Sequence, residues 1–277
     1  MQKFYEAVGT CKQSLHGYMN RWMKRTTKQK EVIGKIHQFR GDHPDMGLRE
    51  LYFLIQPQDI GRDAFELLGK REGLGVKRFK NFCRTTDSQS TVFYPNRIEK
   101  ILVDRPNQVW QSDITYFRIK NKFCFITLIQ DAYTKMIVGH SASGSLRTEE
   151  TTLPALRRAI TSRKKMGIKG LIFHSDGGGQ YYEKEFIGLT SRNGIVNSMG
   201  KSCYENAMAE SLNGVIKNKY LRYKRIENLV DLKRELDRTV RLYNSSKPHS
   251  SLKRMTPQVF EKKYITSQLP LHMDLNR

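Results

Sequence analysis

Three apolar runs rich in β-branched and aromatic residues, VWQSDITYF (109–117), FCFITLIQD (123–131) and KMIVGHSAS (135–143), follow one another closely. Short polar turns, Lys120-Asn121-Lys122 and Ala132-Tyr133-Thr134, separate them. Parallel strands need a crossover of a dozen or more residues, so runs this close predict an antiparallel three-stranded meander. A helix should follow, with Leu153, Leu156, Ala159 and Ile160 turned inward and Arg157, Arg158, Arg163, Lys164 and Lys165 outward. Pro154 is tolerated only near its first turn.

Gly167 and Gly170 bracket the next turn, and Leu171-Ile172-Phe173 reads as a short buried strand. The spacing then predicts a helix over Lys184 to Arg192, a short strand at Ile195-Val196 and a long helix over Tyr204 to Tyr220. Three strands, helix, strand, helix, strand, helix is the ribonuclease-H-like order. The fold class expected is α/β, a mixed sheet with flanking helices on both faces, preceded by an all-α helix-turn-helix region.

In that first region, Phe4, Tyr5 and Val8 and then Leu15, Tyr18, Met19 and Trp22 keep helical spacing on either side of Gly9, which predicts two helices. Val32, Ile33, Ile36 and Phe39 make a further stripe, ended by Gly41-Asp42-His43-Pro44. A second pair of helices, Gly47 to Ile55 and Arg62 to Gly69 with Phe65, Leu67 and Leu68 buried, is punctuated by Pro57 and Gly61. The organisation expected is a helical region of helix-turn-helix type over 1–80, a linker over the aperiodic 81–107, a ribonuclease-H-like core over 108–225, and a helical extension over 226–277.

Basic residues exceed acidic ones by 8 over residues 1–108 and by 14 over 109–277, for a net charge of +22. Self-repulsion of that size points to a polyanionic partner, most commonly nucleic acid. Arg62, Lys77 and Arg78 lie by the second helix pair, and a solvated basic face is the competing reading. Lys217, Lys219, Arg222, Lys224 and Arg225 give five bases in nine residues without an intervening acid, from the end of the long helix onward, which suits a phosphate track. Cys11, Cys83, Cys124 and Cys203 form no C-x-x-C pair, so neither a zinc module nor a disulfide framework is expected. No run reaches the length of a membrane span and the N-terminus lacks a secretion signal. A cytoplasmic protein is expected.

Three carboxylates stand out. Asp113 interrupts an apolar strand, where a bare buried charge is too costly to leave unpaired. Asp176 ends the second buried strand before Gly177-Gly178-Gly179, a turn that lets backbone approach a ligand. Glu210 shares one narrow helical stripe with Asn206, Asn213 and Lys217. Taken singly, Asp113 fits a cap or edge, Asp176 an ordinary turn, and the stripe a wet helix face. Together they supply carboxylates from three elements, the requirement of a two-metal phosphoryl-transfer site.

These motifs resemble the OrfB catalytic polypeptide of IS3-family insertion-sequence transposases, whose core is similar to retroviral integrases. The matching strings are VWQSDITYF, FHSDGGGQYY, ENAMAESLNGVIK and, near the C-terminus, YNSSKPHSSLKRMTP; GLRELY and IGRDAFELL look like the helix-turn-helix region before the core. The resemblance implies a DDE triad of Asp113, Asp176 and Glu210 holding two Mg²⁺ ions, with Mn²⁺ able to substitute. It implies cleavage at element ends and joining of the 3′-hydroxyl to target DNA. It makes Lys217 a DNA contact, with Trp110, His174, Asn206 and Asn213 in support. The partners implied are double-stranded DNA, an upstream OrfA product as fusion or separate subunit, and further copies of the chain on the bacterial nucleoid. The chain departs from the family in a slightly short Asp176-to-Glu210 interval, contracted at Met199 to Tyr204, in Gly177 and Gly179, and in Glu205 before Asn206. Rival readings are a DNA-binding regulator without catalysis and a nuclease of the same fold that does not join strands.

Overall fold

The computed structural model describes residues 9–76, 94–200, 206–267 and 273–274. The chain forms two compact units, Met1–Phe79 and Lys80–Arg277.

The first unit holds helices α1 (Lys12–Asp42), α2 (Leu48–Ile55) and α3 (Arg62–Arg71). Ile36, Met46, Leu48, Leu51, Phe65 and Leu74 form its core, with Val32, Ile33 and Phe39 packed against them. The turn expected at Gly9 is present, with φ +64, and the helix expected before it lies outside the described residues; after the turn, α1 runs unbroken for 31 residues from a Cys11 cap and takes in both later stripes. No proline interrupts it, and Gly17 and Gly34 each cost it only about 1 kcal/mol. Its N-terminal stripe, Tyr18, Met19 and Trp22, is exposed. Leu67, expected inside, is 49% exposed, because Phe65 and Leu68 fill the inner face of α3.

The second unit is built on a five-stranded sheet of β2 (Val109–Ile119), β3 (Lys122–Asp131), β4 (Ile137–Ser143), β5 (Ile172–Ser175) and β6 (Val196–Met199). Their order across the sheet is β4-β3-β2-β5-β6. β2, β3 and β4 are antiparallel neighbours, whereas β5 pairs parallel with β2 and β6 parallel with β5. This mixed order is the ribonuclease-H-like one. The β3–β4 turn is shaped by Asp131, fully buried, which accepts hydrogen bonds from the backbone N–H groups of Asn107 (2.7 Å), Tyr133 (3.0 Å) and Thr134 (2.9 Å). A buried carboxylate is stable there because backbone dipoles replace its water.

Helices α4 (Thr152–Arg163) and α5 (Lys184–Arg192) cover one face of the sheet, with Trp110, Ile129, Val138, Phe173 and Tyr181 beneath them. Gly139 lets α4 approach β4, since a Cβ at that position would lie 2.2 Å from the Ala155 carbonyl oxygen. Helices α6 (Ala207–Val215) and α7 (Leu229–Ser245) cover the other face over Ile126, Leu128 and Ile119. The long helix expected over Tyr204 to Tyr220 is α-helical only to Val215, then passes into a π-turn over Ile216–Tyr220 and a 3₁₀ turn over Leu221–Tyr223. Tyr204 itself lies outside the described residues.

Two assignments change. Arg163, expected to point outward, is 3% exposed and ion-paired with Glu261 of α8 (Pro257–Ser267). The stretch expected to be a linker is, from residue 94 onward, part of the second unit. Ile98 and Val103 are buried with Tyr133, Leu252 and Phe260, and β1 (Leu102–Val103) pairs with β7 (Met273–Asp274). Aperiodic sequence hid this because a two-residue strand leaves no alternation to detect. Residues 81–93 lie outside the described set.

The tail motif is a clasp. The side chain of Asn244 accepts from the backbone N–H of Ile137 and donates to its carbonyl oxygen, both at 2.9 Å, in the manner of a neighbouring strand. Tyr243 Oη accepts from Gln130 Nε2 at 2.9 Å, and its ring meets His249 edge-on. These contacts hold α7 over the β3–β4 turn.

Candidate active site

Strand pairing explains how two of the three carboxylates meet. β2 and β5 are parallel, with Trp110 opposite Phe173 and Gln111 opposite His174. Continuing that register by two residues sets Asp113 beside Asp176, and alternation puts both on the face that carries α6. A one-residue slip would have sent Asp113 to the other face, under α4.

The electrostatics agree with that proximity. Burial first, and then the nearby Asp176 and Glu210, push the Asp113 carboxyl up to about 7, against hydrogen bonds that favour its ionised form. Those bonds come from the backbone N–H of Ile114 at 2.8 Å and from Asn213 Nδ2 at 2.8 Å. Asp176 is raised as well, chiefly by burial, while the backbone N–H of Gly178 donates to it at 3.2 Å. Tyr182 Oη donates to the backbone carbonyl of Asp176 at 2.8 Å, lies 2.7 Å from Met199 Sδ, and its ring stacks on Tyr94.

The stripe on α6 is not a wet face. Asn206 and Asn213 are 2% and 4% exposed. Asn206 Nδ2 donates to the Ser112 carbonyl at 3.0 Å, Asn213 Nδ2 to Asp113, and Lys217 Nζ to the Tyr116 carbonyl at 3.3 Å. The two amides are therefore tethers to β2, and the face of α6 that looked hydrophilic is docked on the sheet. Glu210, between them on the stripe, is exposed. Among the described residues, no three His, Cys, Asp or Glu side chains converge closely enough to form a closed metal-ligand set. Asp113 is coupled by charge to Asp176, its neighbour by strand register, and more weakly to Glu210, which is exposed.

Other expected site residues fall in varied places. Trp110 is fully buried on the opposite face of β2 and donates Nε1–H to Asn107 Oδ1 at 3.3 Å, so it supports the core under α4 rather than the carboxylates. His174 shares the Asp113 face and its Nδ1 lies 2.9 Å from Ser198 Oγ, a position for bracing β5 against β6. Lys217 and Lys219 lie in the π-turn and Arg222 in the 3₁₀ turn that follows, with Lys224 just beyond. Arg225 is ion-paired with Glu227 at 2.6 Å and Arg62 with Asp63 at 2.9 Å, so neither is a bare cation. The acid-free interval ends just beyond Arg225, and Glu227 folds back across it. Lys77, Arg78, Cys83, Cys203 and Glu205 lie outside the described residues, as do Lys201 to Tyr204 of the contracted loop.

Sequence reasoning missed Tyr182, Tyr94 and Ser198. Tyr94 stands outside every periodic segment, and only the QYY string next to the glycines marked Tyr182.

Two models of the integrase core domain match this chain, one over residues 103–203 and the other over 193–257. An uncharacterized 31 kDa protein of insertion element IS600 from Shigella sonnei is 33% identical over 74% of this chain and 76% of its own length. The transposase of IS629, also from Shigella sonnei, is 29% identical over 92% of this chain and 84% of its own. The InsF transposase of IS3A from Escherichia coli is 29% identical over 51% of this chain and 50% of its own. Among solved structures, the catalytic core domain of HTLV-2 integrase aligns at 21% identity over 56% of this chain and 97% of its own, with a TM-score of 0.45. With the integrase core matched across the sheet and a relative above 30% identity aligned along most of both chains, this chain belongs to the IS3-family insertion-sequence transposases.

Proposed function

We propose that this chain is the catalytic polypeptide of its element and that Asp113, Asp176 and Glu210 are the carboxylates through which it works. It is a DNA polynucleotidyl transferase: it cleaves DNA at insertion-sequence ends and transfers the 3′-hydroxyl to target DNA. The observation that supports the site assignment best is Asp113, a largely buried carboxylate raised to about 7 by burial and by two acidic neighbours.

The donor chemistry fits a hard divalent cation. Asp113 and Asp176 offer oxygen ligands, and their hydrogen bonds among the described residues come from neutral N–H groups. Mg²⁺ keeps several waters and needs few carboxylates, so a coupled pair with an exposed third acid suffices. Asp113 and Asp176 would hold Mg²⁺, or Mn²⁺ in its place, and Glu210 would turn inward to complete a two-ion site. Such ions supply an activated hydroxyl and a neutralised leaving oxygen. The protein's own contribution is positioning: Asn213 and the Ile114 N–H fix the Asp113 carboxylate, Gly178 and Tyr182 fix the Asp176 turn, and Asn206 locks α6 to β2.

The partners we propose are the double-stranded terminal repeats and target DNA, held by Lys217, Lys219, Arg222 and Lys224. Arg62, Lys77 and Arg78 would serve end recognition by the helical first unit. An upstream OrfA product, fused or separate, and further copies of this chain would complete the assembly on the cytoplasmic nucleoid. No helix among the described residues is long and apolar enough to cross a membrane.

The test uses purified protein, labelled terminal-repeat DNA and Mg²⁺ or Mn²⁺. Asp113→Asn, Asp176→Asn and Glu210→Gln should each abolish both cleavage and joining. Full activity in all three would refute the site, and cleavage by the wild type without joining would indicate a nuclease.

A further inference from the structure

The β2–β3 hairpin extends past the end of its helical cover. On the face occupied by α4, Trp110 and Ile129 are buried, but farther along the same face Tyr116 and Phe123 are 37% and 52% exposed. Tyr116 is paired across the strands with Phe125, and Arg118 with Phe123, so the three rings and the guanidinium share one side. The rings meet edge to face: Tyr116 lies 5.5 Å from Phe125 and 6.2 Å from Phe123, centroid to centroid. In such pairs the edge of one ring meets the face of another, and the exposure of Tyr116 and Phe123 leaves part of their aromatic surface open to solvent.

Along the hairpin that carries these rings the charge has one sign. Arg118, Lys120 and Lys122 are exposed, and no acidic residue occurs between Asp113 and Asp131. Lys120 takes φ +52 at the tip, where its carbonyl accepts from Arg118 Nε at 3.0 Å, so the basic turn is shaped rather than loose. The patch shares strand β2 with the candidate site but faces the other side of the sheet. Lys217 Nζ donates to the Tyr116 carbonyl, and Tyr116 lies three residues, about 10 Å of strand, from Asp113.

We propose that this surface, on the sheet face opposite the carboxylates, binds unpaired nucleotides of DNA, with bases stacked on Tyr116 and Phe123 and phosphates against Arg118, Lys120 and Lys122. The ring faces choose between occupants: a duplex presents phosphates but keeps its bases stacked inside, leaving the rings with nothing to cover them. Aromatic faces on a sheet among cations are the combination that single-stranded nucleic acid selects. A second copy of this chain would bring a second set of like charges and is disfavoured. The proposal rests on the transposase reading for its choice of DNA as the polyanion.

The experiment compares binding of the full chain to a blunt fluorescent duplex and to the same duplex carrying a short single-stranded tail. The wild type should bind the tailed DNA more tightly. Phe123→Ala, at an exposed position, should remove about tenfold of that preference and leave blunt-duplex affinity unchanged, a loss within the range for one stacked base. Phe123→Trp should retain the preference and show indole quenching beyond that of the wild type on tailed DNA only. Lys122→Gln should weaken both complexes. Equal wild-type affinity for the two DNAs, or a preference that survives Phe123→Ala, overturns the patch while leaving the transposase reading intact. Failure of the wild type to bind either DNA would instead count against that reading. Were Phe123→Ala to change only the oligomeric state, the surface would be a protein contact and the proposal would be wrong.

Discussion

Replacing Asp113 by Asn should stabilise the protein in chelator, by an amount that depends on pH. Its carboxyl rises from 3.8 to about 7 in the fold, so the folded state holds this proton more tightly than the unfolded chain does. The group therefore favours folding at low pH, and that contribution is lost as pH climbs from about 4 to about 7. That rise corresponds to on the order of 4 kcal/mol, and water near the carboxyl screens part of it, leaving about 2 kcal/mol. Asparagine removes the charge without losing the contacts. Its Oδ1 accepts from Ile114, and its Nδ2 can donate to Asn213 Oδ1, a buried atom without a partner, once the Asn213 amide flips. In EDTA at pH 7.5, the second unit of the variant should melt about 4–8 °C above wild type, and the gap should close near pH 4. Mg²⁺ should raise the wild-type transition and leave that of the variant nearly unchanged. A variant no more stable than wild type at pH 7.5, or a gap that persists at pH 4, would refute the reasoning.

Three further perturbations probe other parts of the structure. Gly139→Ala should leave little folded protein by circular dichroism, because the new methyl meets the Ala155 carbonyl oxygen at 2.2 Å and α4 must lift from β4. Arg163→Met should cost about 3–5 kcal/mol in urea unfolding by stranding Glu261, and the double variant with Glu261→Leu should recover most of that loss. Asn213→Ala withdraws a hydrogen bond that favours ionised Asp113, so the pH at which metal-dependent cleavage sets in should rise, with little change in DNA affinity.

How much of this was legible in the sequence depended on the length of the pattern. The meander was readable because each run spans most of a strand and the turns between them are too short for any other connection. β5 and β6 were placed only to within two or three residues, since four-residue strands carry little alternation of their own. Gly139 gave no sign in advance that a helix backbone would sit on it. Arg163 looked like a solvated base at the end of a basic stretch, because its partner Glu261 is 98 residues away in the chain.

The α6 stripe shows why residues can be grouped on one helix face by position and still be misread in chemistry. Periodicity reports which residues share a helix face, and Asn206, Glu210, Asn213 and Lys217 do share one. It does not report what that face meets. A polar stripe is read as solvated because unpaired polar groups are costly to bury, yet here β2 presents the Ser112 and Tyr116 carbonyls and the Asp113 carboxylate as matching acceptors. An amide docked on a strand is therefore indistinguishable in sequence from an amide in water. Glu210 is the one member of the stripe with no donor to offer. On a face whose other members all bond to β2, that is the physical reason for proposing it as the residue that meets a cation.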